Sequence, residues 1–313
     1  MIDFRYHVVS LIAVFLALAL GILVGTTQLN GAVLDNLRGE VTGLTDDRRG
    51  LQQDVRTLQQ QVKDSDSVTA SLAPRAVAGQ LRNTTVVLLA APDATGQVKS
   101  GVQKILEDAG ATITGRIQLT DGYTDPRRAE DARSFVTGSG QPAGFQLPES
   151  DDAGVLAGAL LSYVLLRGSG TGAEPAAVNQ VLSGFASLQM LRVETPQVTP
   201  AEEIVVVSSG QVKSDSSDER IRSLTNLVLG LDKAGKGTVV AGTEASAAAA
   251  TGLVGAVRAD SALASAVSTV DNANGAAGQI ATVFALNQQA AGHAGQYGVE
   301  SNAQSPFPPT PTS

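Results

Sequence analysis

The 313-residue chain contains no cysteine and no tryptophan, and it has only two methionines and two histidines. The lack of cysteine excludes a disulfide framework, a thiolate nucleophile, an iron–sulfur cluster and a cysteine-ligated zinc site. Basic residues are also in deficit, because 22 Lys and Arg stand against 30 Asp and Glu and give a formal charge of −8. Phosphate contacts dominate nucleic-acid binding, so this balance argues against a nucleic-acid partner.

The scarcity of histidine also limits catalysis and metal binding. A Ser–His–Asp triad would have to use His293, because the other histidine, His7, comes directly before the apolar run at Val8–Val24. The sequence contains no nucleophile-elbow motif to accompany His293. Copper prefers Cys, Met and His ligands, and after the first apolar run the chain offers only Met190 and His293, far apart in sequence. We therefore predict no catalytic residue, no resident cofactor and no metal site, and we predict that the protein is not an enzyme.

Two weaker motifs have structural explanations that we favour. The GSGTG run at Gly168–Gly172 resembles a phosphate-binding loop, but a dinucleotide fingerprint follows a strand, and here the preceding segment has a helical pattern. We interpret it as a connection between two helices.

The acidic pairs are open to a second reading as ligands for a hard cation. They are Asp121 with Asp125, and Asp151 with Asp152. Asp152 precedes an apolar helical pattern, where a carboxylate caps free N–H groups, so capping is the favoured role. Asp64 and Asp66 lack the glycine and the bidentate glutamate of a calcium loop, and we expect a solvated link there.

An unbroken apolar run at Val8–Val24 is the strongest positive signal in the chain. About 20 apolar residues span a bilayer, so residues 8–27 predict contact with a membrane and residues 1–29 a transmembrane anchor. A cleaved signal peptide is the alternative, but no A-x-A-like cleavage site follows. Arg5 precedes the run and Arg38 is the first basic residue after it, which favours a single pass in the cell membrane with an extracytoplasmic C-terminal region.

A heptad pattern follows the anchor over residues 30–66 and predicts a coiled-coil stalk. Positions a and d together form what we call the seam: Leu34, Leu37, Val41, Leu44, Arg48, Leu51, Val55, Leu58 and Val62. Val at a with Leu at d favours a parallel dimer, so we expect a homodimer or a hetero-oligomer. The alternative is one amphipathic helix packed on the rest of the protein, since Gly39, Gly43 and Gly50 weaken the helix.

Residues 67–299 alternate between strand and helix patterns and predict an α/β head with a parallel, Rossmann-like sheet. The pattern restarts near residue 195, which suggests two halves, 82–195 and 196–299. The predicted strands are 84–93, 111–119, 203–209, 238–243 and 268–270. The Pro- and Ser-rich residues 300–313 predict a disordered tail, and the DSDS and Pro74 region at 64–84 predicts a boundary with a short helix.

Two segments resemble a known family. They are the start, MIDFRYHVVSLIAVFLALALGILVG, and the later stretch VSTVDNANGAAGQIATVFALNQQAAGHAGQYG. Together with the heptads between them, they resemble the actinobacterial MctB family. The resemblance implies an envelope location and a role in copper homeostasis or efflux, sometimes described as an outer-membrane channel. Similar proteins, under the name SteB, are associated with a membrane partner that governs cell-wall hydrolysis during division. No motif of functional residues comes with the resemblance.

Three functions are therefore in view. The first is a non-enzymatic envelope scaffold that binds itself, or an envelope or division protein, through the stalk. The second is a SteB-like regulator of wall hydrolysis with a membrane partner. The third is an oligomeric copper channel, which the pattern favours least, because continuous apolar strands separated by helices are typical of a soluble parallel sheet.

Overall fold

The computed structural model describes residues 4–167, 170 and 172–309, and within its first helix it describes no side chain for residue 4 or residues 26–38. The chain divides into two compact units, Met1–Ser65 and Asp66–Ser313. We call them the helical unit and the head unit.

One continuous helix, α1, runs from Phe4 to Val77. Its segment Arg5–Gly25 is long and apolar enough to cross a membrane, which agrees with the predicted anchor. The predicted boundary at 64–84 contains the division between the two units, but the short helix predicted there is the end of α1, and Pro74 lies inside it. Proline removes one backbone hydrogen bond, but here it lies in the last turn, and burial of Ala73 and Val77 in the head core favours continuing the helix past it.

The head unit is built on a single seven-stranded sheet with the order β3-β2-β1-β4-β5-β6-β7. The strands are β1 Thr85–Ala90, β2 Thr112–Leu119, β3 Leu191–Val193, β4 Glu203–Val207, β5 Gly237–Ala241, β6 Ser268–Val270 and β7 Gln296–Tyr297. All neighbours are parallel except β2 and β3. The predicted α/β class with a mainly parallel sheet is confirmed. The segments 82–195 and 196–299 share this one sheet, since β1 pairs directly with β4.

Helices cover both faces of the sheet, as the crossovers between parallel strands require. They are α2 Gly96–Asp108, α3 Asp121–Thr124, α4 Ala129–Thr137, α5 Ala153–Leu165, α6 Pro175–Ser187, α7 Ser217–Ala234, α8 Glu244–Ala247, α9 Leu253–Ala259, α10 Ser261–Ala266 and α11 Ala276–Ala290, with a 3₁₀ turn at Pro126–Arg128. The sequence did not predict β3, β7, α3, α9 or α10, because elements this short show no clear periodicity.

Strand β4 shows how the core divides between the two faces. Ile204 and Val206 face the cluster that includes α5, α6 and α7, whereas Val205 and Val207 face the cluster that includes α2 and α11. Every residue of β4 is buried, and Ile204 to Val207 are all apolar without polar alternation, as a sheet covered on both faces requires.

The C-terminal residues 300–309 pack on the head rather than forming the predicted disordered tail. The amide of Gln304 donates to the carbonyl oxygen of Gln296 at 2.7 Å, and the ring of Phe307 lies 5.5 Å from that of Phe284. Proline-rich composition removes backbone donors, but the amides of Gln304 and Ser305 both donate to the carbonyl oxygen of Gln296 in β7. Residues 310–313 lie outside the described residues.

Candidate functional site

The seam forms an apolar stripe on α1 that this chain does not cover. Its described apolar members are Val41, Leu44, Leu51, Val55, Leu58 and Val62, and each is between 51% and 69% exposed. Arg48 lies among them and is also exposed. The side chains of Leu34 and Leu37 lie outside the described ones, although their backbone is helical. Seven consecutive seam positions, from Val41 to Val62, thus leave large side chains open to solvent.

Local contacts support the helix that carries the stripe. On the outer faces, Asp46 pairs with Arg49 at 3.2 Å, and the amide of Gln60 donates to Asp64 at 2.8 Å. Such pairs three or four residues apart each add a few tenths of a kcal/mol to a helix. They leave the stripe unoccupied, and its regular spacing fits the surface of another helix with the same repeat.

The stripe continues beyond the predicted end of the stalk. Counting by sevens from Leu58 reaches Ser65 and then Leu72, which is 54% exposed although it belongs to the head unit. The uncovered apolar positions are therefore not confined to the helical unit.

The head has a polar cleft of about 420 Å³ at the carboxyl ends of β1 and β4. The strand order changes direction here, and ligands of open α/β sheets bind at such a point. Asp93, Asp121, Asp125, Lys213 and Arg220 all line the cleft. The predicted pair Asp121 and Asp125 therefore lies at this edge of the sheet.

Most of these charges are already engaged by the protein itself. One carboxylate oxygen of Asp93 accepts from the amides of Ser209 and Gly210, both at 2.6 Å, and from the Ser208 hydroxyl at 2.8 Å. Amides that follow a strand at this position commonly hold a phosphate. Here the chain's own carboxylate occupies them, so the cleft lacks the anion-binding loop of a nucleotide enzyme.

Two of the predicted acidic residues, Asp125 and Asp152, act as caps, which is the role that the sequence favours. Asp125 accepts from the amide of Arg127 at 3.1 Å, and hydrogen bonds from Arg127 hold the pKa of this carboxyl well below its usual range. Asp152 caps α5 by accepting from the amide of Val155 at 3.0 Å. The GSGTG run lies between α5 and α6 as predicted, although Gly168, Ser169 and Thr171 lie outside the described residues.

The two ligands considered for copper do not meet. Met190 is buried in the core, whereas His293 is exposed just after the end of α11. Among the described residues, no group of three or more His, Cys, Asp or Glu side chains has a spacing suited to a metal ion.

Sequence reasoning missed a buried ion pair at the end of β6. Arg258 and Asp271 lie 2.8 Å apart, with side chains only 3% and 0% exposed. Arg258 also donates to the carbonyl oxygen of Tyr297 at 2.7 Å, and Asp271 accepts from the amide of Val299 at 2.7 Å. The network joins β6, α9 and the C-terminal segment. Asp271 belongs to the stretch beginning VSTVDNANG, the second of the two segments that resemble a known family, so this stretch has a structural role.

A second missed feature connects α1 to the same region. The N-cap position of α11, Gly275, has no side chain to cap the helix. Asp66 accepts instead from the amide of Ala276 at 2.7 Å, although it is far away in sequence. The predicted solvated link at Asp66 is therefore wrong, since its carboxylate caps a helix N-terminus.

Glu203, at the start of β4, is the third feature that the sequence did not predict. It is only 3% exposed, and its Oε2 atom is buried without a hydrogen-bond partner. Burial, with the nearby charge of Glu202, raises the pKa of the Glu203 carboxyl to about 8, against an opposing effect of Lys236.

Comparisons with known proteins cover nearly the whole chain. The model of the family described as "Copper transport outer membrane protein, MctB" matches residues 1–308. A protein of Mycobacterium leprae named Copper transporter MctB is 36% identical, over 97% of this chain and 98% of its own length. Proteins with the same name from Mycobacterium bovis and Mycobacterium tuberculosis are 32% identical, with the same coverage.

Proposed function

This chain belongs to the MctB family, and from that premise we propose that it is a cell-envelope protein that acts by binding other protein chains, not by catalysis. In this proposal residues 8–27 hold it in the cell membrane and the head lies outside the cytoplasm, as the placement of Arg5 and Arg38 favours. The observation that carries the proposal is the uncovered seam on α1.

The energetics of the stripe support association. Burying one Leu or Val side chain is worth about 1.5–3 kcal/mol, so a row of such residues favours a partner helix strongly. Soluble proteins rarely expose contiguous apolar patches of this kind unless they form an interface. The proposed interface is a coiled coil, since the stripe repeats every three and four residues.

The head chemistry supports a non-catalytic role. In the polar cleft, Asp93 occupies the amides that an anionic substrate would use. The exposed His293 has no side-chain hydrogen bond in the described structure, so it lacks the carboxylate partner that orients a catalytic histidine.

The relatives are named copper transporters, and we propose that any copper transport by this chain belongs to the assembly it forms. Met190 is sealed in the core and His293 stands alone on the surface, so a single head offers a copper ion no set of soft or imidazole ligands. Within the described part of the chain, one helix is long and apolar enough to cross a membrane, and one such helix cannot enclose a path for an ion by itself.

The test is to disrupt the stripe while leaving the head intact. In the double variant Leu44→Asp and Leu51→Asp, the intact chain in detergent should lose association by at least about a hundredfold, because apolar burial is replaced by buried charge. Sedimentation gives the association, and thermal unfolding followed by circular dichroism checks that the head still folds.

The matched control places the same charges on the outer face. Gln53→Asp with Gln60→Asp has the same spacing of seven, and it should associate like the wild type. Equal association of the seam variant and the wild type would contradict the proposal, and so would equal loss in both double variants.

A further inference from the structure

We infer that the partner of the seam is a second copy of this chain, parallel and in register, and that Arg48 of each copy pairs with Asp47 of the other. This inference rests on the proposed function, which it deepens by naming the partner and the charged contact at the centre of the interface. The evidence is the position of these two charges relative to the heptad, their state in the single chain, and the charge pattern on either side of the seam.

Arg48 is the one charged member of the seam, and its surroundings in a dimer follow from coiled-coil geometry. In a parallel pair, a side chain at position a enters a hole formed by the partner's residues at d, g, a and d. For Arg48 these residues are Leu44, Asp47, Arg48 and Leu51. The same four side chains line one open groove on α1. The incoming Arg48 would lay its stem on the leucines and its guanidinium beside Asp47.

Within one chain these two charges cannot satisfy each other. Neighbouring residues on a helix point in different directions, so Asp47 and Arg48 do not face one another. The described structure shows an ion pair for the adjacent residues Asp46 and Arg49, at 3.2 Å, but none that involves Asp47 or Arg48. Both charges are exposed and available to a second chain.

A second copy supplies the charge complement that Arg48 needs. Two copies in register place two arginines and two aspartates in one layer, which is electrically neutral. The pairing would offset the repulsion between the two arginines that the seam brings together. A guanidinium next to a carboxylate also forms the stronger class of hydrogen bond.

The charges that flank the seam favour the parallel orientation. In a parallel pair, position g faces position e of the partner, whereas in an antiparallel pair g faces g. The g positions of three consecutive heptads are acidic and the e positions that follow them are polar and uncharged: Glu40, Asp47 and Asp54 at g, and Thr45, Gln52 and Gln59 at e. An antiparallel pair would oppose acid with acid, and a parallel pair avoids this.

The apolar segment at Arg5–Gly25 fixes the register. Two copies in the same bilayer start their stalks at the same depth, because each segment must remain in the hydrocarbon layer. A slip of one heptad would move one anchor by about 10 Å along the helix axis, since each residue rises 1.5 Å. Arg48 of one copy and Asp47 of the other therefore lie at the same level.

The first experiment exchanges the charges in the intact chain, with association measured by sedimentation in detergent. Arg48→Glu should weaken association by about tenfold, because the layer then holds four negative charges. The double variant Asp47→Arg with Arg48→Glu should return to within about threefold of the wild type, since the exchange restores the pairing only between copies. Arg49→Glu is the control, with the same change of charge on the outer face, and it should have little effect.

The second experiment uses the natural absence of cysteine to determine orientation. Leu44→Cys and Leu58→Cys, each made alone, should both give a disulfide-linked dimer under mild oxidation. Only a parallel pair in register places each of the two positions next to the same position of the other copy. In an antiparallel pair at most one of the two variants would cross-link efficiently.

The outcomes separate this inference from the proposed function. A double charge exchange that associates as weakly as Arg48→Glu alone, or cross-linking at only one of the two positions, would overturn the second copy as partner in this arrangement. Association that is lost in the aspartate variants of Leu44 and Leu51 would then still support the proposed function. Wild-type chains that stay monomeric at all concentrations would also overturn the inference.

Discussion

The two units of this chain treat their apolar residues in opposite ways. In the head unit, β4 and β5 are buried at every position, and clusters of buried side chains lie on both faces of the sheet. In the helical unit, Leu44, Leu51 and Leu58 are each at least 60% exposed. The head therefore buries its apolar residues within the single chain, whereas the helical unit leaves them exposed, which is the basis of the proposed interface.

The same contrast holds for charge. The head buries Arg258 and Asp271 and gives each several hydrogen bonds, as a buried pair requires. The seam leaves Arg48 exposed among apolar neighbours. We therefore expect changes in the head to alter stability and leave association unchanged, and changes in the seam to do the reverse. The predictions below test the head side of this comparison.

The largest effect on stability should come from Arg258→Met. The variant leaves the carboxylate of Asp271 buried without its cation, which costs about 3–5 kcal/mol. For a folded unit of this size, the melting temperature should fall by about 10 °C. Thermal unfolding of the intact chain, followed by circular dichroism, measures the change, and sedimentation should show unaltered association at low temperature.

Arg127→Met is the matched control for this experiment. Arg127 also pairs with an aspartate, Asp125, at 2.8 Å, but its side chain is 86% exposed. After the change the carboxylate of Asp125 keeps the hydrogen bond from the backbone amide of residue 127, and an exposed ion pair contributes little, so stability should stay close to that of the wild type. A similar loss in both variants would show that burial does not set the cost, and would weaken the contrast between the two units.

A smaller effect with a distinct pH dependence is expected from Glu203→Gln. Burial raises the pKa of Glu203 to about 8 in the folded state, above its ordinary value. The folded chain then binds this proton more tightly than the unfolded chain, so native stability falls as the pH rises from about 4.5 to about 8. Glutamine removes that loss, and the variant should be more stable than the wild type by about 1–3 kcal/mol at pH 8, with a smaller gain at pH 5.

The neighbouring residue provides a control with the opposite sign. A hydrogen bond from Lys236 lowers the pKa of Glu202 despite partial burial. Its contribution is present above the unfolded pKa and is lost as the pH falls through the folded pKa. Glu202→Gln should therefore destabilise the head at neutral pH and have less effect in acid. A gain for Glu203→Gln that is equal at pH 5 and pH 8 would contradict the assignment of a buried, protonated carboxyl.

The sequence predicted features that depend on local patterns and missed those that depend on distant contacts. Continuous apolar runs gave β1, β4 and β5 to within a few residues, and the apolar pattern after Asp152 gave the cap of α5. Strand β3 has only three residues and is defined by its pairing with β2, which no local pattern reveals. The cap on α11 and the pairing of Arg258 with Asp271 likewise join residues that only the fold brings together.

The same division applies to the candidate site. Heptad spacing predicted which side of α1 carries the seam, because residues three or four positions apart lie on the same face of a helix. It did not predict that the exposed stripe reaches Leu72, since Ser65 and Thr69 occupy the intervening seam positions and interrupt the apolar repeat. The sequence also did not predict that Asp93 accepts hydrogen bonds from Ser208, Ser209 and Gly210, because these residues follow a different strand.

The smallest predicted effect concerns the residue where the two units meet in sequence. Asp66 caps α11 from α1, so Asp66→Ala should destabilise the head by about 1 kcal/mol through the lost hydrogen bond and the lost charge at a helix N-terminus. Asp66→Asn keeps an acceptor and should lose less. Asp64→Ala is the control, because in the described structure Asp64 accepts only from Gln60 on its own helix and should matter little to the head. Thermal unfolding of the three variants gives the comparison. If Asp64→Ala and Asp66→Ala lower the melting temperature equally, the effect belongs to α1 itself, and the cap on α11 contributes nothing to stability.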